Sequence, residues 1–181
     1  MSPYPAWLES TERLRDGTEI RLRPLRPEDE PLLEDLAAHM TQEDLRLRFF
    51  ASMRGLSHAL AWKLSHVDYT RAMALVALKD GVALGVARFH AEADRAQAEY
   101  AIAVRSDWKG RGLGYLLMTR LIDVARQWRI GELVGYVLRE NKPMLEMCRE
   151  LGFSIATDRA DPSVMRVRKV LTPETPPSAS A

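Results

Sequence analysis

Residues 98–128 read AEYAIAVRSDWKGRGLGYLLMTRLIDVARQW, an apolar run followed by a glycine cluster and a second apolar segment. It opens with an apolar run that is typical of a buried strand ending at Val104, and after a cluster of glycines its apolar residues are spaced three and four apart. This spacing predicts an amphipathic helix over residues 112–128. A strand that turns sharply into a helix leaves the first backbone N–H groups of that helix without intrahelical partners.

The glycine cluster between this strand and this helix predicts a phosphate site. Gly110, Gly112 and Gly114 lack the Cβ atoms that would hold an anion away from the free N–H groups. The helix dipole adds partial positive charge at the same place, and Lys109 and Arg111 can add charge-assisted hydrogen bonds. A plain turn would need only one glycine, so the cluster favours a ligand-binding loop over a purely structural turn.

Two common nucleotide-binding motifs do not fit the cluster. A P-loop requires G-x-x-x-x-G-K-[ST], but its second glycine would fall at Tyr115. A dinucleotide-binding G-x-G-x-x-G would need its third glycine at Tyr115 or at Leu117. The loop is therefore neither that of a nucleoside triphosphatase nor a good match to a Rossmann fingerprint.

Composition limits the class of protein. The chain has 181 residues, of which 46% are hydrophobic and 28% charged, as expected for one globular domain. We expect this domain at residues 16–171, between an N-terminal flank or linker at residues 1–15 and a disordered tail at residues 172–181. A formal net charge of +1 gives no general electrostatic reason to bind nucleic acid or a membrane surface. No signal peptide and no membrane-spanning apolar run is apparent.

Cysteine and histidine usage limits the chemistry. The single cysteine, Cys148, excludes an internal disulfide framework and fits a reducing compartment, so we expect a cytoplasmic protein. His58 and His66 stand too far apart for a metal pair on one helix face, and His39 and His90 have no ligand-like neighbours. We therefore predict no metal.

The remaining pattern predicts an α/β (α+β) domain with a mixed sheet flanked by helices. Seven strands are expected, at residues 18–25, 73–78, 82–91, 98–104, 132–138, 153–158 and 164–171. Pro27, Thr41 and Ser57 predict the starts of three helices between the first two strands, and Asn141 caps a helix after the fifth strand. Short connections favour antiparallel pairing of strands two to four, whereas the helix over residues 112–128 is long enough for a parallel crossover.

Two segments carry a resemblance to a known family. KGRGLG at residues 109–114 resembles the Q/R-x-x-G-x-G/A acyl-CoA loop of the GNAT superfamily of N-acetyltransferases, with Lys109 where Gln or Arg is commoner. ENKPMLEMCRELGF at residues 140–153 resembles the Asn-initiated helix that ends in Gly-Phe in that family. Asn141 would then help to seat the cofactor, in addition to capping its helix.

This resemblance implies a GNAT fold and a cofactor. The expected sheet is mixed but mostly antiparallel, with about seven strands and an acyl-CoA cleft where the fourth and fifth predicted strands splay apart. The implied cosubstrate is acetyl-CoA. The implied cofactor-binding residues are Ile102, Ala103, Val104, Lys109, Gly110, Arg111, Gly112, Leu113, Gly114, Tyr115 and Asn141. Among them, N–H groups near Ile102 to Val104 could stabilise the oxyanion that forms on the thioester carbon.

The N-terminal half narrows the resemblance. Residues 14–36, 47–58 and 67–78 look like the acetyltransferase domain of bacterial Pat-type protein lysine acetyltransferases, and the likeness runs over most of residues 13–153. The implied partner is a protein that carries the target lysine, with AMP-forming acyl-CoA synthetases, acetyl-CoA synthetase foremost, as the expected class. The chain is either a stand-alone relative or a domain of a larger enzyme.

The transfer reaction requires a base. A lysine amine has a reference pKa of about 10.4, so its proton must be removed before it attacks a thioester. Glu99, at the start of the fourth predicted strand, is suited to this role, and the matching glutamate is the general base in Pat-type enzymes. Many GNAT enzymes carry a tyrosine acid seven residues after the Asn, but this chain has Cys148 there. Cys148 is expected to be a small buried residue rather than a nucleophile.

Two other functions stay open at this point. A small-molecule amine N-acetyltransferase would use the same loop and the same base. A non-catalytic acyl-CoA-binding regulatory module would keep the glycine loop but would have no need of Glu99.

Overall fold

A computed structural model describes residues 3–171 of the chain, which fold around one sheet of eight strands. The strands are β1 (Ser10–Arg13), β2 (Glu19–Pro24), β3 (Ala72–Lys79), β4 (Val82–Ala91), β5 (Gln97–Val104), β6 (Glu132–Leu138), β7 (Ser154–Thr157) and β8 (Val164–Val170). Their order across the sheet is β1-β2-β3-β4-β5-β6-β8-β7. Within the described residues every neighbouring pair is antiparallel except β5 and β6, which confirms the predicted mixed sheet.

Helices cover both faces of this sheet. The α-helices are α1 (Glu30–Ala38), α2 (Gln42–Phe49), α3 (His58–Ser65), α4 (Leu113–Gln127) and α5 (Lys142–Glu150), and 3-10 turns lie at Ala6–Leu8, Pro27–Asp29 and Ser106–Trp108. As predicted, the side chains of Thr41, Ser57 and Asn141 cap α2, α3 and α5. The described residues contain no helix that is long and apolar enough to cross a bilayer.

The prediction of about seven strands missed β1. This edge strand lies within the segment that we expected to be a flank, residues 1–15, and it pairs with β2 along Ser10–Arg13. Its side chains are only partly buried or exposed, so it lacks the apolar alternation by which strands are recognised. Backbone pairing and an ion pair from Glu12 to Arg120 of α4 hold it in place, and the Arg120 hydrogen bond lowers the pKa of Glu12. The predicted tail, residues 172–181, lies outside the described residues.

The core is divided between the two faces of the sheet. One face packs against α4 and α5 and contains the larger cluster of buried side chains, among them Phe89, Leu117 and Leu121. The other face packs against α1 and α3 through Leu33 and Leu36. Each fully buried leucine or phenylalanine contributes about 1.5–3 kcal/mol relative to an exposed one. Helix α4 contributes seven buried apolar residues to the larger cluster and thereby fixes the glycine loop that precedes it.

The sheet opens between β5 and β6. The two strands pair only where Gln97–Glu99 lie beside Glu132–Val134, and beyond Glu99 they diverge. The ring of Tyr100 lies over Gly135 on one face of the sheet, in the space that a Cβ atom of residue 135 would occupy. The predicted splay between the two strands is present.

We expect Gly135→Ala to lower the free energy of unfolding by about 1–3 kcal/mol, because the new methyl group forces the Tyr100 ring out of a packed position. Urea denaturation of the variant measures this loss. Gly55→Ala is the matched control, since its Cβ atom would meet nothing within 4 Å. Equal midpoints for Gly135→Ala and the unmodified protein would show that Tyr100 is not wedged against β6.

Candidate active site

A cleft of about 440 Å³ lies where β5 and β6 separate. Its walls are the second half of β5, the glycine loop before α4, the start of α5 and one side of α2. Eight of the residues predicted from the sequence line it: Glu99, Ile102, Ala103, Val104, Lys109, Gly110, Gly114 and Asn141. The topology therefore brings the expected base, the expected phosphate loop and the Asn-initiated helix to one opening.

Four predicted residues do not line the cleft. Gly112 is the N-cap of α4, and the side chain of Leu113 is buried in the core, so both would act only through their backbone. Tyr115 is exposed on the first turn of α4. The guanidinium of Arg111 lies 4.2 Å from the ring centroid of Trp108, in a cation–π contact.

The glycine loop presents a row of free hydrogen-bond donors. None of the backbone N–H groups from Lys109 to Tyr115 donates a hydrogen bond within the described part of the chain, and the first helical bond of α4 comes from Leu116 to Gly112. Gly110 and Gly112 have φ of 75° and 85°, a conformation that side chains other than glycine's rarely adopt. The loop therefore has the geometry of an anion site at a helix N-terminus.

Lys109 is already engaged by an acid. Its Nζ lies 2.6 Å from Oδ1 of Asp44 in α2, and the Ser106 hydroxyl donates to the other carboxylate oxygen at 2.5 Å. Burial opposes the ionisation of Asp44, but the hydrogen bonds from Lys109 and Ser106 outweigh it and lower the pKa of the carboxyl group. An anion in the loop would compete with Asp44 for this lysine.

Helix α2 contacts both the glycine loop and the segment before α5. Asp44 ties it to the glycine loop, and Arg46 forms an ion pair of 2.6 Å with Glu140, the residue before Asn141. No local sequence pattern assigned this helix to the site. Only the resemblance of residues 47–58 to Pat-type domains could have pointed to it, because the contacts join segments 65 and 94 residues apart.

The separated half of β5 leaves backbone donors facing the gap. Hydrogen bonds from Glu92 to Gln97 and from Arg105 to Leu84 show that the odd-numbered residues of β5 bond to β4. In a strand successive residues point their N–H groups to opposite sides. The N–H groups of Ile102 and Val104 therefore face the gap, whereas that of Ala103 faces β4. Of the three predicted oxyanion donors, two point into the cleft.

Glu99 lies at the fork itself. It is the last residue of β5 that is paired with β6, and its partner on β4 is His90. The side chain is exposed and takes part in no hydrogen bond or ion pair within the described residues. Its side chain shares a face of the sheet with those of Ala101 and Ala103, which leave space beside it. A carboxylate in this position is free to accept a proton from a substrate in the cleft.

Asn141 caps α5, and Cys148 lies within that helix. The Oδ1 atom of Asn141 accepts a 3.3 Å hydrogen bond from the N–H of Met144, so the residue is both the helix cap and part of the cleft wall. Cys148 is fully buried, and burial raises the pKa of its thiol. Its sulfur lies 3.2 Å from the hydroxyl of Tyr100, whose pKa burial raises as well. Both groups stay protonated near neutral pH, so Cys148 is a poor nucleophile.

The described residues contain one group of three potential metal ligands, Glu30, Glu34 and His58. Nδ1 of His58 contacts a carboxylate oxygen of Glu30 between α1 and α3, and none of the three residues lines the cleft. The absence of a metal in the reaction stays a prediction.

Comparison with known proteins agrees with this geometry. The model of the acetyltransferase (GNAT) family matches residues 33–153. "Acetyltransferase PA5475" of Pseudomonas aeruginosa is 34% identical over 81% of this chain and 80% of its own length. "Acetyltransferase Pat" of Mycolicibacterium smegmatis is 32% identical over 77% of this chain, which spans 43% of that longer protein. The crystal structure of the GNAT domain of S. lividans PAT is 27% identical, with a TM-score of 0.88 over 93% of this chain and all of that one.

The family model covers well over half of the chain, and the first of these relatives aligns along most of both sequences. The chain therefore belongs to the GNAT family and is an acetyl-CoA-dependent N-acetyltransferase.

Proposed function

We propose that the protein transfers the acetyl group of acetyl-CoA to a lysine ε-amine of another protein. The observation that carries this proposal is the placement of Glu99 at the fork of β5 and β6, at the inner end of a cleft whose outer end is the row of free N–H groups in the glycine loop. The cofactor and the base would thus be held by adjacent parts of one strand and the loop that follows it.

The glycine loop would hold the diphosphate of coenzyme A. The free N–H groups from residue 110 to residue 115 would bond to its oxygens, and Lys109 would leave Asp44 or bridge to the phosphate. The pantetheine would lie in the gap, beside Asn141, in the place that a β6 strand would otherwise fill. The thioester oxygen would then meet the N–H groups of Ile102 and Val104.

Glu99 would act as the general base. It would accept the proton of the attacking ammonium, directly or through a water, so that the free amine can add to the thioester carbon. The tetrahedral intermediate would collapse with loss of the thiolate of coenzyme A. A thiol has an ordinary pKa of about 8.5, so this leaving group requires little help from an acid.

The likeness to Pat proteins supports a protein substrate. The two Pat relatives align with this chain over most of its length, and one of them is a solved GNAT domain with a TM-score of 0.88. AMP-forming acyl-CoA synthetases, acetyl-CoA synthetase foremost, are the target class that we propose, since acetylation would remove the positive charge of a lysine that takes part in adenylate chemistry. A small-molecule amine is the alternative acceptor, with the same cofactor site.

We expect Glu99→Gln to lower kcat for acetylation of an acyl-CoA synthetase by roughly 10²- to 10⁴-fold, with near-normal binding of CoA. Glu92→Gln, which removes an exposed acid from the nearby turn, should keep full activity. Mass spectrometry of the acetylated lysine and calorimetry with CoA give the two readouts. Unchanged turnover by Glu99→Gln would show that Glu99 is not the general base. Turnover of free amines but not of proteins would favour the small-molecule alternative.

The phosphate loop has its own test. Gly112→Val should weaken CoA binding at least about tenfold, because its side chain would project into the open space before α4 and strain a residue with φ of 85°. Gly17→Val is the matched control, with φ of 87°, equally open surroundings and a position outside the cleft. It should lose similar stability yet bind CoA normally. Equal affinity of both variants would show that the diphosphate lies elsewhere.

Asp44→Asn should tighten CoA binding about fivefold, or roughly 1 kcal/mol, since it removes a negative charge near the phosphates and frees Lys109. The gain should shrink as salt concentration rises. Glu43→Gln is the matched control, since it removes the same charge from the same helix. Glu43 pairs with Arg46 and not with Lys109, so this variant should change the affinity for CoA little. Weaker binding by Asp44→Asn would mean that Asp44 orients Lys109 for the cofactor instead.

A further inference from the structure

Two arginines without acidic partners lie beside Glu99. Arg48 of α2 lines the main cleft and also a smaller cavity next to it, and Arg88 of β4 lines that smaller cavity. Neither guanidinium has a carboxylate within ion-pair distance among the described residues. Arg88 donates only a long hydrogen bond of 3.3 Å to the carbonyl of Leu64, and Arg48 lies 4.5 Å from the ring centroid of Phe49.

Arg23, which is buried, is bound differently from these two partly buried arginines. Arg23 is bound by both oxygens of Asp29, at 2.6 and 2.8 Å. Burial without such a partner disfavours the charged form, and burial together with the nearby charge of Arg88 lowers the pKa of Arg48 to about 10. Both arginines still carry their charge near neutral pH. Their planar N–H donors are therefore available to an anion that enters from solution.

The position of Arg48 separates it from the phosphate loop. Asp44 contacts Lys109 one helical turn earlier in α2, so Arg48 lies about 6 Å further along the helix. On the sheet beneath, Arg88 and Glu99 belong to the same face, because Arg88 pairs with Ala101 and His90 with Glu99. The alanines at 101 and 103 leave this face open. An anion at Arg48 would thus lie on the acceptor's side of the cleft, close to the base.

We propose that Arg48, supported by Arg88, binds a carboxylate that the acceptor carries beside its reacting amine, an inference that rests on the proposed role of Glu99. A guanidinium binds a carboxylate through two parallel hydrogen bonds, which fixes both distance and orientation. That contact would hold the neighbouring amine toward Glu99. In a protein acceptor the carboxylate is an Asp or Glu side chain next to the target lysine, and in a free amino acid it is the α-carboxylate.

The test compares acceptors that differ only in this group. One pair is a lysine peptide with Asp or with Asn beside the lysine, and the other pair is L-leucine and L-leucinamide, each compared at equal concentration of free amine. The unmodified protein should show a kcat/KM at least about tenfold higher, through KM, for the carboxylate member of one pair. The pair that shows it identifies the source of the carboxylate. Equal values within both pairs would overturn the proposal.

Substitutions test whether Arg48 causes the preference for a carboxylate-bearing acceptor. Arg48→Gln should abolish the preference for the carboxylate acceptor, and Arg88→Gln should reduce it. Arg48→Lys should keep part of the preference, because the positive charge remains but the two parallel N–H donors of the guanidinium are lost. Arg54→Gln is the matched control, since Arg54 is exposed and lines neither cavity. A preference that survives in Arg48→Gln would contradict the proposal. Calorimetry with CoA confirms that each variant is folded and loaded.

Failure of the carboxylate site can be distinguished from failure of the proposed acetyl transfer. If no acceptor is acetylated although CoA binds, the acetyl transfer to amines proposed above fails. The carboxylate site is then decided by calorimetry with the same pairs in the presence of CoA. A Kd at least about tenfold lower for the carboxylate member, lost in Arg48→Gln, supports the site, and equal Kd values reject it.

Discussion

The loss of pairing between β5 and β6 after Glu99 is the constraint on which the rest of the site depends. A parallel pair would ordinarily continue along both strands, and continued pairing would bury the backbone donors of β5 and close the cleft. Where the pairing ends, the ring of Tyr100 lies over Gly135 and its hydroxyl is 3.2 Å from the sulfur of Cys148 in α5. A gap in the hydrogen-bond ladder is costly unless water or a ligand satisfies it.

Each functional group of the site follows from this gap. Glu99, the proposed base, lies at its apex, the N–H groups of Ile102 and Val104 face into it, and the glycine loop lies where β5 ends. Helix α4 packs most of one side into the core, so the loop before it is fixed although its own residues make few contacts. Helix α2 closes the remaining side through Asp44 and Arg46. In the proposed arrangement, the cofactor would lie at the loop and the acceptor at Arg48.

Local patterns predicted the elements well and their relations poorly. Apolar spacing and glycine chemistry located β5, the loop and α4 almost to the residue, because these signals arise within a few residues of chain. The strand β1 was missed because its Ser-Thr-Glu-Arg sequence has no apolar face. The pairing of Lys109 with Asp44 and the place of Arg48 at the cleft depend on tertiary contacts that no local period encodes. The splay itself was expected only from the family resemblance, since Tyr100 continues the strand pattern of its neighbours.

A crystal structure of the protein with bound coenzyme A would locate the cofactor relative to the loop and the gap. We expect the diphosphate within hydrogen-bond distance of the backbone N–H groups of residues 110–115, and the pantetheine in the gap between β5 and β6 with its sulfur near Glu99. Coenzyme A bound at another surface, with the gap between β5 and β6 empty, would contradict this expectation.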